Sequence, residues 1–231
     1  MALTPLSDAL STLLAQVDLT PETEWVALEA AGGRYAAETV HSTVSVPPAD
    51  NSAMDGFAVR AGDLPAVQRV SQRIPAGSAP TALEPGTAAR IFTGAEIPEG
   101  ADTVVLQEDT EQVDEGVWLP EAREGQHIRR RGGDIRPGQE LVAAGSYLRP
   151  QDIGLLASVG LDAVQVFQPL TVAVLTTGDE LREPGNGDLV SGEIYNSNRF
   201  SLAAQIRALG MNVLDMGNLP DQPECIGDAL E

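Results

Sequence analysis

The chain of 231 residues carries 34 acidic against 14 basic side chains, a formal charge of −20, with 42% apolar and 4% aromatic residues. That length suits one or two compact units, and the charge excludes general binding to nucleic acid or to an anionic membrane surface, both of which would repel it. Every basic residue is arginine, and five fall between Arg123 and Arg136, where only Glu124 and Asp134 oppose them, so that window is locally cationic.

The opening "MALTPLSDALSTLLAQV" lacks the basic start of a signal peptide. It sets Leu6, Leu10, Leu13, Leu14 and Val17 at helical spacing behind Thr4 as N-cap and Pro5 as first helical residue. A second helix is predicted from "TPETEWVALEAAGGRYAAE", where Thr20 and Pro21 repeat the cap-then-proline signal. From about Thr39 the texture turns β-rich: "TVHSTVSV", "VQRVSQRI", "TAARIFTG", "ADTVVLQE" and "GVWLP" are separated by the turns "EPGT", "IPEG" and "RPGQ", which predicts a small sheet or barrel.

A helix is predicted in "RPQDIGLLASVG", with Gly160 as its C-terminal cap, then a strand over 163–167 and a linker at Gln168-Pro169. The strand "LTVAVL", the loop "TTGDEL", a helix over 198–209 capped by Gly210 and the strand "MNVLDMG" form a βαβ pattern, and Asp221 is a candidate N-cap for another helix. Two parallel strands are few for a sheet buried on both faces, so the pattern reads as truncated. No apolar run approaches the roughly 20 residues that span a bilayer. The single cysteine, Cys225, excludes an internal disulfide and a cysteine-cluster metal site and fits a reducing cytosol.

Candidate chemistry concentrates in a few loops. In "DNSAMDGFAVR", Asp55-Gly56 either closes a tight turn or presents a carboxylate to a ligand or cation, and composition leaves both open. Thr93 and Gly94 follow a predicted strand, where a hydroxyl and a backbone N–H can meet an oxyanion or simply end the strand. In "HIRRRGGDIRPG", Arg129, Arg130 and Arg131 either offer fork-shaped donors to an anion or form a solvated charge run, with Asp134 as a possible partner. In "TTGDEL", Gly178, Asp179 and Glu180 sit where a parallel strand ends, the edge at which open α/β sheets place ligands. Asn196, Ser197 or Asn198 is the N-cap of the next helix, with N–H groups behind it for an anion. Neither GxGxxG nor GxxxxGK[ST] occurs, and His41 and His127 have no zinc spacing.

Taken in order, "DNSAMDGFAVR", "IFTGAEIPEGADTVVLQE", "HIRRRGGDIRPG", "IGLLASVG", "VAVLTTGDEL" and "GEIYNSNR" resemble the MoeA/gephyrin E-domain family of molybdenum cofactor biosynthesis over essentially the whole chain. The resemblance implies an α/β multidomain fold: a first domain of mixed helix and strand (1–46 and 135–168), an inserted β-rich domain (47–134), and the start of a βαβ molybdopterin-binding domain (169–231). It implies a cytoplasmic, homodimeric transferase that inserts molybdenum from molybdate into adenylylated molybdopterin and releases AMP, with Mg²⁺ as cofactor and molybdopterin adenylyltransferase as a possible partner. A non-catalytic dimeric scaffold of the same family is the alternative.

Carried over by position, the family's catalytic residues match Asp55, Thr93, Asp134, Glu180 and Asp221, with Glu180 and Asp221 as metal ligands. Arg129, Arg130, Arg131, Gly178, Asp179, Asn196 and Ser197 are then the expected cofactor contacts. Two positions depart from the family's pattern: Phe57 stands where a tyrosine is common, and Gly133 where an acid often precedes the aspartate.

Overall fold

The computed structural model describes residues 4–17 and 21–230. It divides into two compact units, one formed by 1–38, 144–153 and 162–231, the other by 39–143 and 154–161.

The first helix, α1 (Leu6–Ala15), has Pro5 rather than Thr4 in the N-cap position. Its apolar stripe is exposed, from Leu10 at 52% to Leu6 at 84%, and no residue of the helix is buried. The predicted second helix is mostly absent: β1 (Thr23–Ala27) is a strand, and only the single turn α2 (Leu28–Ala31) is helical. The reason is a distant partner, because β1 pairs antiparallel along its whole length with β12 (Ala163–Phe167). Alternate residues of β1 are exposed, Trp25 among them at 65%, so an apolar run readable as helix is the half-buried edge of a ladder. The expected cap Thr20 lies outside the described residues.

The second unit begins with the short strands β2 (Val40–His41) and β3 (Asn51–Ser52). There follow β4 (Gly56–Val59), β5 (Ala66–Ile74), β6 (Thr87–Ile91), β7 (Thr103–Leu106), β8 (Glu111–Val113) and β9 (Gly116–Leu119), which form one sheet in the order β7-β4-β6-β5-β9-β8. Two more short strands, β10 (Ile128–Arg129) and β11 (Glu140–Val142), pair with β3 and β2.

Central β4 is buried at all four positions. Ala58 joins Ile74, Leu83, Ile91 and Val104 in one apolar cluster, while Phe57 and Val59 join Val105, Val117 and Leu119 in another. Successive strand side chains point to opposite faces, so the sheet carries apolar packing on both. Each fully buried aliphatic side chain contributes about 1.5–3 kcal/mol.

Helix α3 (Pro150–Ser158) closes at Gly160, whose φ is +85°. The Gly160 N–H donates to the Ala157 carbonyl, and the Leu161 N–H to that of Leu156. This is the Schellman closure expected of a glycine there.

After β12 comes β13 (Thr171–Thr177), then β14 (Leu181–Arg182) and β15 (Ile194–Tyr195), paired in parallel. Helix α4 (Ser197–Ala208) then leads to β16 (Asn212–Leu219), which runs parallel to β13, and α5 (Pro223–Leu230) follows. Asp221 stands two residues before α5 rather than next to its first turn, and the Ile226 N–H bonds the Gln222 carbonyl instead. No described helix is long and apolar enough to cross a membrane.

Candidate functional site

In the second unit, three of the predicted loops meet. Asp55 ends a bend immediately before β4, and its Oδ1 accepts both the Thr93 N–H at 2.8 Å and the Thr93 hydroxyl at 2.7 Å. The Thr93-Gly94 turn is itself clamped to β3, because the Gly94 N–H donates to the Ser52 carbonyl and the Asn51 side-chain amide to that of Gly94. Gly94 has φ +82°, a left-handed value that favours glycine.

The bonds from Thr93, backbone first, hold the Asp55 carboxyl below the usual aspartate range against a small opposing desolvation. Asp55 is therefore a fixed, ionised, partly exposed carboxylate. Gly56 beside it is obligatory, since a Cβ there would lie 1.9 Å from the Val105 carbonyl oxygen.

Asp50 accepts the Arg131 N–H at 2.8 Å and Arg130 Nη1 at 2.6 Å. Those bonds, the backbone one largest, also lower its pKa. Arg129 pairs with Asp134 at 2.5 Å. So two of the three expected anion-binding arginines already hold carboxylates while remaining more than half exposed, and the Arg131 guanidinium has no ion pair among the described residues. The ring of Phe57, at the family's tyrosine position, is buried in the sheet.

In the first unit, β13 runs out at Thr177 into Gly178, and the Glu180 carboxylate folds back so that a Cβ on Gly178 would meet its Oε2 at 2.6 Å. Glu180, Asn196 and Ser197 line a cavity of about 270 Å³ with Thr176, Thr177 and Tyr195. Asp179 Oδ1 faces the Asp221 N–H at 3.5 Å.

Of the three candidate caps, the structure selects Asn196, which is 2% exposed. Its Nδ2 donates to Thr176 Oγ1 at 2.8 Å and to Glu183 Oε1 at 3.1 Å. Both amide donors are committed within the protein, so Asn196 ties the end of β13 to the start of α4. Glu183 and Asp215, which the sequence did not single out, both bind Arg199 and raise its pKa, Asp215 most.

No three His, Cys, Asp or Glu side chains gather as a metal cluster among the described residues. A larger cavity, about 800 Å³ and lined by Leu64 and residues 121–126, contains none of the predicted site residues.

The candidate residues thus form two separate groups rich in carboxylates and hydroxyls, one in the β-sheet unit and one in the βαβ segment. Comparison with known proteins gives the chain a family. Residues 4–160 match the MoeA N-terminal region, domains I and II, and residues 173–231 match a probable molybdopterin binding domain. The chain belongs to the MoeA family. It is 40% identical over 223 residues to a molybdopterin molybdenumtransferase of Haemophilus influenzae, covering 94% of this chain and 54% of that protein. It is 38% identical over 227 residues to one of a Nostoc species, covering 94% and 52%. A molybdopterin biosynthesis MoeA protein from Pyrococcus horikoshii OT3 superposes with a TM-score of 0.91 at 31% identity, over 99% of this chain and 63% of that one. The chain spans about half the length of the curated relatives it matches.

Sequence reasoning passed over Arg90. It donates to the Gly56 carbonyl at 2.8 Å and lies 4.5 Å from the Phe92 ring centroid. The available signal was an arginine on a strand, two residues from an aromatic and three from Thr93.

Proposed function

We propose that this chain is the N-terminal portion of a molybdopterin molybdenumtransferase, which inserts molybdenum from molybdate into adenylylated molybdopterin and releases AMP. One observation carries the reading: two collinear family matches span nearly the whole chain, and relatives 38% and 40% identical to it over 94% of its length bear that name. The Asp55–Thr93 geometry supports it, since a carboxylate held ionised by two donors can orient a water for cleavage of the phosphoanhydride.

Glu180 and Asp221 are the proposed Mg²⁺ ligands. Mg²⁺ commonly takes one or two carboxylates and completes its shell with waters and substrate phosphates, so a site without a third acid suits it. Bound there, the cation would neutralise charge on the leaving phosphate. The arginines at 129–131, with Gly178, Asp179 and Ser197, are the proposed substrate contacts, and Asp134 acts beside Arg129. A cytoplasmic homodimer with the three-domain division given above, receiving its substrate from molybdopterin adenylyltransferase, completes the proposal.

The test is molybdate insertion and AMP release by the full-length protein with Asp55, Glu180 or Asp221 replaced by alanine. Each replacement should slow insertion strongly while leaving the circular dichroism spectrum unchanged. Wild-type rates in all three would sink the site.

A further inference from the structure

Arg90 occupies β6 in cross-strand register with Phe57 of β4 on one side and Arg73 of β5 on the other. Its Nη1 donates to the carbonyls of Gly56 at 2.8 Å and Ile91 at 3.2 Å, and its Nη2 to Gln107 Oε1 at 2.5 Å. Gln107 in turn donates its backbone N–H to the Asp55 carbonyl at 3.2 Å and its side-chain amide to Glu108 at 3.0 Å. The guanidinium is held between rings, 4.5 Å from the centroid of Phe92 and 5.3 Å from that of Phe57. Among the described residues Arg90 makes no ion pair, so its charge is left to act on the acids around it.

We infer that Arg90 is a positioning residue for Asp55, holding the backbone that leads from the carboxylate into β4 at two successive carbonyls, Gly56 directly and Asp55 through Gln107, and supplying positive charge that no ion pair takes up. The inference rests on the reading that Asp55 acts in molybdate insertion.

The physical need is clear from the bonds. The carboxylate is gripped by the Thr93 turn alone, so its aim depends on where the Asp55-Gly56 backbone sits relative to that turn. Strand β7 leaves no space for a Cβ at Gly56, and Arg90 ties the Gly56 carbonyl and, through Gln107, that of Asp55. A site must hold such groups within about 0.5 Å of the productive geometry. Arginine suits the task because its planar fork reaches several acceptors while stacking on aromatic faces. The charge acts in the same direction: the Thr93 bonds are the main cause that lowers the Asp55 pKa and the Gln107 amide the main one for Glu108, and the Arg90 charge adds a smaller lowering to each, opposing the repulsion that Asp55 exerts on Glu108.

The test compares Arg90→Met, Arg90→Lys, Asp55→Ala, Asp55→Asn and the Arg90→Met/Asp55→Asn pair in the full-length protein. Arg90→Met should lower kcat for molybdate insertion about 10- to 100-fold with KM changed by no more than about twofold. It should also move the acid limb of the pH profile to higher pH, and Arg90→Lys should bring that limb back while recovering part of the rate. In the Asp55→Asn background, Arg90→Met should cost nothing further, because residues acting as one unit are non-additive.

A carbon-13 carboxyl titration of Asp55 in the 231-residue chain supplies a readout independent of turnover, and Arg90→Met should shift it upward. A normal kcat in Arg90→Met, an equal loss in the Asp55→Asn background, or an unmoved Asp55 titration overturns the inference. Normal insertion by Asp55→Ala would instead remove the functional reading beneath it.

Discussion

Asp55 and Glu180 are both acids on loops that leave a strand, yet they are held in opposite ways. Asp55 receives two hydrogen bonds on one oxygen and stands on a sheet packed on both faces. Glu180 has no hydrogen bond to its carboxylate among the described residues. It lies over a glycine beside a cavity, on a segment whose buried side chains are few, Val174, Asn196 and Ala203 among them. The first acid is aimed before any ligand arrives, at the expense of freedom. The second is left unbonded, which suits a group whose partners arrive with the substrate. Pre-organisation here follows the packing: the aimed acid belongs to the part of the chain with a closed apolar core, and the free one to a two-stranded parallel ladder with Phe200, Leu209 and Leu214 exposed.

Several substitutions put this contrast at risk. Asp55→Ala is expected to have the largest effect, slowing insertion about 10²-fold or more. Asp55→Glu should be nearly as harmful, because a longer arm cannot keep both Thr93 bonds, whereas Glu180→Asp should retain a larger share of the rate. Equal tolerance at the two positions would erase the distinction. Next is Gly56→Ala, which forces backbone apart and should cost about 1–3 kcal/mol in denaturant unfolding. An unshifted midpoint would show that the sheet yields more readily than its contacts suggest.

Thr93→Val deletes the hydroxyl bond but keeps the N–H. It should cost roughly tenfold in insertion rate and move the acid limb upward, because the bonds from Thr93 are what lower the Asp55 pKa. Asn196→Ala, on the other side of the comparison, should destabilise the βαβ segment by about 1 kcal/mol as a lost cap. Amide exchange should quicken in α4 and β13 and leave β4 and β6 unchanged.

The smallest effect is on stability against pH. The carboxyls of Asp50, Asp55, Asp152 and Asp215 all titrate below their ordinary value when folded. Their contribution is complete above about pH 3.9 and is lost as pH falls through the lowered folded values. A melting temperature that holds steady through neutrality and drops only in that acid range, less steeply in Asp50→Asn, is the expected result.

Much of this was legible because turns announce themselves. Proline and glycine marked the ends of the sheet strands, Gly160 and Gly210 marked helix ends, and the loop after β13 was readable from strand polarity. The strand at 23–27 was not, since what makes it a strand is a ladder with residues 163–167, and no local pattern carries that pairing. Nor could the sequence tell that Asp50 would take two arginines of the run, or that Asn196 would spend its amide on Thr176 and Glu183. Composition gave the right residue types, but their commitments are long-range. Arg90 was hidden for the same reason, since only the register of β4 against β6 puts it opposite Phe57.

The two tryptophans fall one to each unit, Trp25 on β1 at 65% exposure and Trp118 on β9 at 40%. They are therefore ready-made optical labels. With excitation confined to tryptophan, Trp25→Phe leaves an emission signal that reports on the unit holding the six-stranded sheet, and Trp118→Phe one that reports on the unit containing the βαβ segment. Melting the two variants side by side would read the stability of each unit from its own fluorescence, without any added dye.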